Sequence, residues 1–154
     1  RLALAGGDLD QARVCCQDSI STFADLRITH TNYAAEAMLA LSWAALAQQR
    51  FSEAEHSFLN VLSARGSAAW ETMDAMAGLA EVYAQKGDLD RAAELFAAVF
   101  RSSATADATQ RHALQMAQAM HLPIATSRGV ASLERTHNRT VDALVDEILA
   151  VERG

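Results

Sequence analysis

The chain has 154 residues, enough for one domain with a core of its own. A hydrophobic share of 51% excludes disorder, because such a chain can bury enough apolar surface to offset its ordering entropy. A formal charge of −6 with one lysine, Lys86, makes a poor footprint for nucleic acid or an anionic lipid surface, and one proline beside seven glycines favours long helices over strands.

In chain order, Arg1-Leu2-Ala3-Leu4-Ala5 reads as the end of a helix. It is too short and wrongly flanked for a signal peptide, and without an initiator Met the chain reads as a fragment of something longer. A full helix is predicted over 9–26. Its adjacent Cys15 and Cys16 have neither metal-ligand nor redox spacing, so they read as small apolar residues in a reducing cytosol. Two helical pairs follow, 32–48 with 52–64 and 67–85 with 89–102. Asp107…Gln110 opens a further helix carrying Ala113, Met116, Ala117 and Met120 on one face, which stops before Pro123. A short helix is predicted over 124–134. The last, capped by Thr140, spaces Val141, Leu144, Val145, Ile148 and Leu149 amphipathically. No apolar run approaches the ~20 residues of a membrane span, and the expected location is the cytoplasm.

An internal repeat organises these helices. Gly7-Asp8-Leu9-Asp10-Gln11-Ala12 recurs as Gly87-Asp88-Leu89-Asp90-Arg91-Ala92, with a diverged copy, Gln49-Arg50-Phe51-Ser52-Glu53-Ala54, between them. The three alanines are 42 and 38 residues apart, and a helical period of that length means stacked helix pairs. Gly7 and Gly87 suit the left-handed conformation that ends a helix. Asp8, Ser52 and Asp88 are expected to cap the next one, with capping-box spacing in Asp8…Gln11 and Ser52…Glu55. Hairpins are therefore predicted to turn at Gly7, Arg50 and Gly87. Ala12, Ala54 and Ala92 would sit where two helices cross, and Phe58 or Phe96, one turn on, would fill the gap towards the neighbouring pair.

Tyr83, Gly87, Ala92 and Phe96 together resemble the tetratricopeptide repeat signature at its usual internal spacings. The middle copy keeps Leu41, Ala54 and Phe58 but has Ala45 at the Tyr position and Gln49 at the Gly position; the first keeps Gly7 and Ala12, with Cys16 replacing the aromatic. The resemblance covers 1–104, and the period exceeds the usual ~34 residues. Longer repeats of this kind are similar to the helical arrays of large bacterial transcriptional regulators and signalling ATPases, where the array senses or binds partners. The resemblance implies a single all-α domain over 1–154: an α-α superhelix of antiparallel hairpins over 1–104, closed by C-terminal capping helices over 105–154, because a solenoid must cover its terminal apolar face.

The expected function is protein–protein interaction as part of a larger bacterial regulatory or signalling protein, not catalysis. In tetratricopeptide arrays the first helix of each pair lines the concave face. Glu36, Leu39, Trp43 and Leu46 fall on one such stripe, and Asp74, Ala77, Glu81 and Ala84 on the next. Glu36, Leu39, Trp43, Asp74 and Glu81 are thus candidate partner contacts, an acidic groove with an aromatic anchor suited to a basic or amphipathic segment. The alternative is that Trp43 is buried between pairs and the carboxylates are merely solvated. Self-association stays open.

Sharper chemistry finds little support. His30, His56, His112, His121 and His137 include no pair at metal-binding helical spacing, and His112 and His121 fall on opposite faces. No phosphate-binding glycine loop is present, because Gly6-Gly7 leads into an acidic turn. No catalytic residue, cofactor or metal is expected. The segment Thr136-His137-Asn138-Arg139-Thr140-Val141-Asp142 resembles the entry to a helix-turn-helix recognition helix, the basis of an alternative DNA-binding role. Asp142, Asp146 and Glu147 would then face phosphate, so structural capping is the preferred reading.

Overall fold

A computed structural model describes residues 9–25, 32–64, 69–102, 105–119 and 140–151. Among them are seven helices and no strand: α1 (Leu9–Asp25), α2 (Asn32–Ala47), α3 (Phe51–Ser63), α4 (Ala69–Gln85), α5 (Leu89–Arg101), α6 (Asp107–Ala119) and α7 (Val141–Val151). These bounds follow the sequence expectation within two residues. Gly7, Asp8, the helix ends expected over 1–5 and the short helix over 124–134 lie outside the described residues, as do His30, His121, His137 and Pro123.

The two described hairpin turns are built alike from different residues. Gln49 N–H donates to the Leu46 carbonyl at 2.9 Å and Arg50 N–H to the Ala45 carbonyl at 2.9 Å. Gly87 N–H donates to Ala84 at 3.0 Å and Asp88 N–H to Tyr83 at 2.9 Å. Both are Schellman closures, which satisfy the last carbonyls of the helix through a residue at positive φ. Gly87 meets that demand at φ 88°, and Gln49 meets it at φ 58° with a full side chain. The register expected from the sequence, Ala45 with Tyr83 and Gln49 with Gly87, is the register of these bonds.

The capping expectation needs one correction. Asp88 caps α5, accepting from the Arg91 N–H at 3.2 Å. Ser52 does not cap α3: it lies inside the helix, and the cap position falls on Arg50, which makes no side-chain cap bond. Arg50 pairs instead with Glu53, and Glu55 pairs with Lys86 beyond the end of α4. The turn closure sets where α3 begins, and Ser52 stands two residues too late. Thr140 does cap α7, accepting from the Ala143 N–H at 3.2 Å.

Helices adjacent in sequence from α1 through α6 pack together, and α2 with α4 and α4 with α6 also touch. Flanked by α1, α3 and α4, α2 is apolar almost all round, as a helix covered on several sides must be. The repeat positions Ala54, Phe58, Ala92 and Phe96 are all fully buried. Ala12 falls within α1. Phe58 reaches from α3 onto Gly78 of α4, where an added Cβ would stand 2.1 Å from the ring. Only glycine lets the two backbones approach over that phenyl group. Buried Tyr83 carries the Arg91 guanidinium 5.3 Å above its ring.

The C-terminal helices divide their work. α6 lies against α4 and α5, next in line after them. α7 returns to α3, burying Leu144 with Val145, Ile148 and Leu149 against the core. The described helices α6 and α7 thus cover different members of the bundle. Cys15 and Cys16 are free thiols, and Cys15 is exposed rather than packed as an apolar residue. Burial pushes the Cys16 thiol up, which keeps it protonated and poorly nucleophilic. No helix among the described residues is long and apolar enough to cross a membrane.

Candidate binding groove

The alternate helices α2, α4 and α6 lie side by side, and a groove of about 330 Å³ opens across them. From α2 come Glu36, Leu39 and Trp43; from α4, Trp70 and Asp74; from α6, Thr109 and His112. Ala40, Ala106 and Ala108 complete the wall and carry too little bulk to close it. Leu39, 2% exposed, is the floor. Trp43, Trp70, Asp74, Glu36 and His112 are half-buried, the burial of side chains that meet both core and solvent.

A chain of polar and aromatic contacts ties the three helices together here. Trp43 Nε1 donates to Asp74 Oδ2 at 3.1 Å, and Thr109 Oγ1 donates to Asp74 Oδ1 at 2.8 Å. One carboxylate thus holds the indole of α2 and the hydroxyl of α6 from its place on α4. The Trp43 ring meets Phe58 edge to face at 5.2 Å and His112 edge to face at 5.1 Å. Such pairs contribute about 0.5–1.5 kcal/mol each beyond burial. His112 Nε2 stands 3.1 Å from Glu81 Oε2. That hydrogen bond raises the His112 pKa above the ordinary histidine value; burial works against the rise, and the negative charges of Glu81 and Asp74 add to it.

Of the residues singled out from the sequence, Glu36, Leu39, Trp43 and Asp74 line the groove, while Glu81 stands behind it as the partner of His112. Leu46 and Ala77 of the same stripes are buried in the core. Trp43 divides between the two roles weighed for it: it packs on Phe58 and lines the groove, but its N–H already has an acceptor. Sequence reasoning missed Trp70, Thr109 and His112. Trp70 lies four residues before Asp74, on the same helical face, so extending that stripe by one turn reaches it. Thr109 and His112 are three apart and share a face of α6, which becomes legible once α6 is treated as the first helix of a further pair.

The groove gathers apolar, acidic and imidazole groups. Two indoles offer apolar, electron-rich surface, two carboxylates offer negative charge and acceptors, and one imidazole is committed to Glu81. Among the described residues no group of three or more His, Cys, Asp or Glu side chains is placed to hold a metal ion. The exposed side chains of α7 include Asp142, Asp146 and Glu147, which would repel a phosphate backbone. Comparison with family models, curated proteins and solved structures finds no match to the chain.

Proposed function

We propose that this chain is a protein-interaction module, a tetratricopeptide-like α-α superhelix whose concave groove holds a partner segment with a basic residue beside apolar anchors. By the resemblance of its repeats, it serves a larger bacterial regulatory or signalling protein, in the cytoplasm, and binds rather than catalyses. The observation that carries the reading is the convergence of Trp43, Trp70, Asp74, Thr109 and His112 from three alternate helices onto one open groove. Array geometry merges such stripes, and aromatic residues in partly desolvated clefts tend to dominate binding energy. The carboxylates favour a basic partner and disfavour an acidic one, an effect that weakens with salt. No observation favours the DNA-binding alternative.

The chain has only two tryptophans and both line the groove, so their fluorescence reports on it directly. Peptides selected by display on the folded chain should be rich in Arg or Lys beside large apolar residues and should shift that emission on binding. Trp70→Ala should weaken them by about 30-fold or more, as expected for a hot spot of ~2 kcal/mol, in a variant that still unfolds cooperatively. Trp43 is the poorer probe, because it also holds Asp74 through its indole N–H and packs on Phe58 and His112. Selected peptides that bind Trp70→Ala and the parent chain equally well would move the binding face elsewhere.

A further inference from the structure

We propose that α6 is a gate on the groove, a wall latched to α4 by the His112–Glu81 pair, which holds it closed while the imidazole carries a proton and loosens it when the proton leaves. This rests on the groove being the binding face and adds how that face is regulated.

The seam comes first. α6 supplies Ala106, Ala108, Thr109 and His112 to the groove, so the site is complete only while α6 lies on α4. What α6 buries is small: Ala113 and Ala117 are fully buried and Thr109 nearly so, while Leu114 is 46% exposed. Each alanine buries one methyl group, and apolar burial stabilises in proportion to area. α5 is fastened differently, by buried Leu95, Phe96 and Val99. Two side-chain contacts therefore carry much of what holds α6. The Thr109 hydroxyl donates to Asp74 at 2.8 Å, and His112 meets Glu81 at 3.1 Å.

The second contact holds a histidine, the side chain whose charge changes near neutral pH. Its hydrogen bond to Glu81 raises the His112 pKa; burial lowers it, and the charges of Glu81 and Asp74 raise it further. α2 faces the imidazole with the Trp43 ring at 5.1 Å and, across the groove, Glu36. On α5, Arg91 and Glu94 line a separate cavity against α7, and Asp90 and Arg101 are exposed. Asp107 and Arg111 of α6 itself are exposed too. A raised folded-state value means that the latch is fully set below the ordinary histidine value and weakens as pH rises through the raised one. A neutral imidazole can still donate to Glu81, but a charge-assisted bond is about twice as strong. With the His112 side chain 42% exposed, solvent screening limits the change in the docking equilibrium to about five-fold.

Amide hydrogen exchange on the ligand-free chain tests the gate. Undocked, a helix of 13 residues is marginal in water, so opening exposes the Ala113 and Ala117 amides. These should be at least about ten-fold less protected than the amides of Phe96 and Val99 in α5, as a local opening requires. Corrected for intrinsic rates, their protection should fall about two- to five-fold between pH about 5.5 and about 8.5. His112→Gln and Glu81→Gln should each abolish that fall, and glutamine at 112 keeps a neutral donor for Glu81. A displayed peptide that depends on Trp70, added at about ten times its Kd, should raise α6 protection about ten-fold, because it binds the closed groove. Three results would each overturn the gate: α6 amides as protected as those of α5, a pH dependence that survives His112→Gln, or a Trp70-dependent peptide that leaves α6 protection unchanged. Displayed peptides that ignore Trp70 would instead overturn the groove as the binding face and with it the gate's part in binding; the opening of the ligand-free chain would then stand as a pH-dependent motion of α6 alone.

Discussion

The second hairpin, α2 with α3, and the third, α4 with α5, reach the same geometry from unequal local chemistry. At the third turn every residue suits its place: Gly87 at φ 88° has nothing within 4 Å of where a Cβ would stand, and Asp88 caps the helix that follows. At the second turn Gln49 is held at φ 58° and Arg50 caps nothing with its side chain. Yet the backbone hydrogen bonds match, and Ala54 with Phe58 is as dry as Ala92 with Phe96. Burial of the crossing residues is thus enough to hold a turn whose own residues do not favour it. Turn chemistry adds stability where present and is dispensable where the interior is packed.

The sharpest way to break this equivalence is at the crossing. Phe58→Ala should cost about 3–5 kcal/mol in denaturant unfolding, the usual range for a deleted buried phenyl ring. Gly78→Ala should cost about 1–3 kcal/mol through overpacking on that ring. Combined, the two should cost clearly less than their sum, since removing the ring makes room for the methyl group. Strict additivity would mean that Phe58 and Gly78 do not share the contact.

Next in size, Ala54→Leu and Ala92→Leu should each destabilise by about 1–3 kcal/mol, and by similar amounts, because both alanines have no exposed surface. A large loss at one and none at the other, measured by denaturant midpoint, would show that the two crossings are not equivalent.

The turns themselves should respond in opposite directions. Gln49→Gly should raise stability by up to about 1 kcal/mol by relieving a left-handed residue, whereas Gly87→Ala should lower it by about 1–2 kcal/mol through backbone strain alone. Asp88→Ala should cost about 1 kcal/mol as a lost cap. If Gln49→Gly and Gly87→Ala move the melting temperature in the same direction, matched hydrogen bonds do not mean matched strain.

The smallest effect concerns the seam between α4 and α6, which is made of small alanines and polar contacts rather than interlocked rings. The His112 pKa is raised in the folded state, so its stabilising interaction with Glu81 is fully present below the unfolded histidine value and is lost as pH rises through the folded value. With the His112 side chain 42% exposed, solvent screening keeps the contribution below about 1 kcal/mol. The melting-temperature difference between the parent chain and His112→Gln should therefore shrink as pH rises from the ordinary histidine range upward. A difference that grows with pH would mean the pair with Glu81 does not stabilise the fold.

What the sequence determined by itself was everything written in short-range pattern. Helix ends and the Thr140 and Asp88 caps depend on neighbours a few residues away, and the repeat shows in the matched positions Ala54 and Ala92, 38 residues apart. The stripes of α2 and α4 were legible for the same reason, since residues three and four apart share a face in any helix. Tertiary structure alone decided how those faces meet. Gly78 looked like one more small residue until Phe58 lay across it, and Ser52 looked like a cap until the turn closure moved the start of α3 to Phe51. Thr109 and His112 reach Asp74 and Glu81 across more than 30 residues of chain. No local pattern encodes that approach, because it follows from the packing angle of α6 on α4, which the summed contacts of the whole core set.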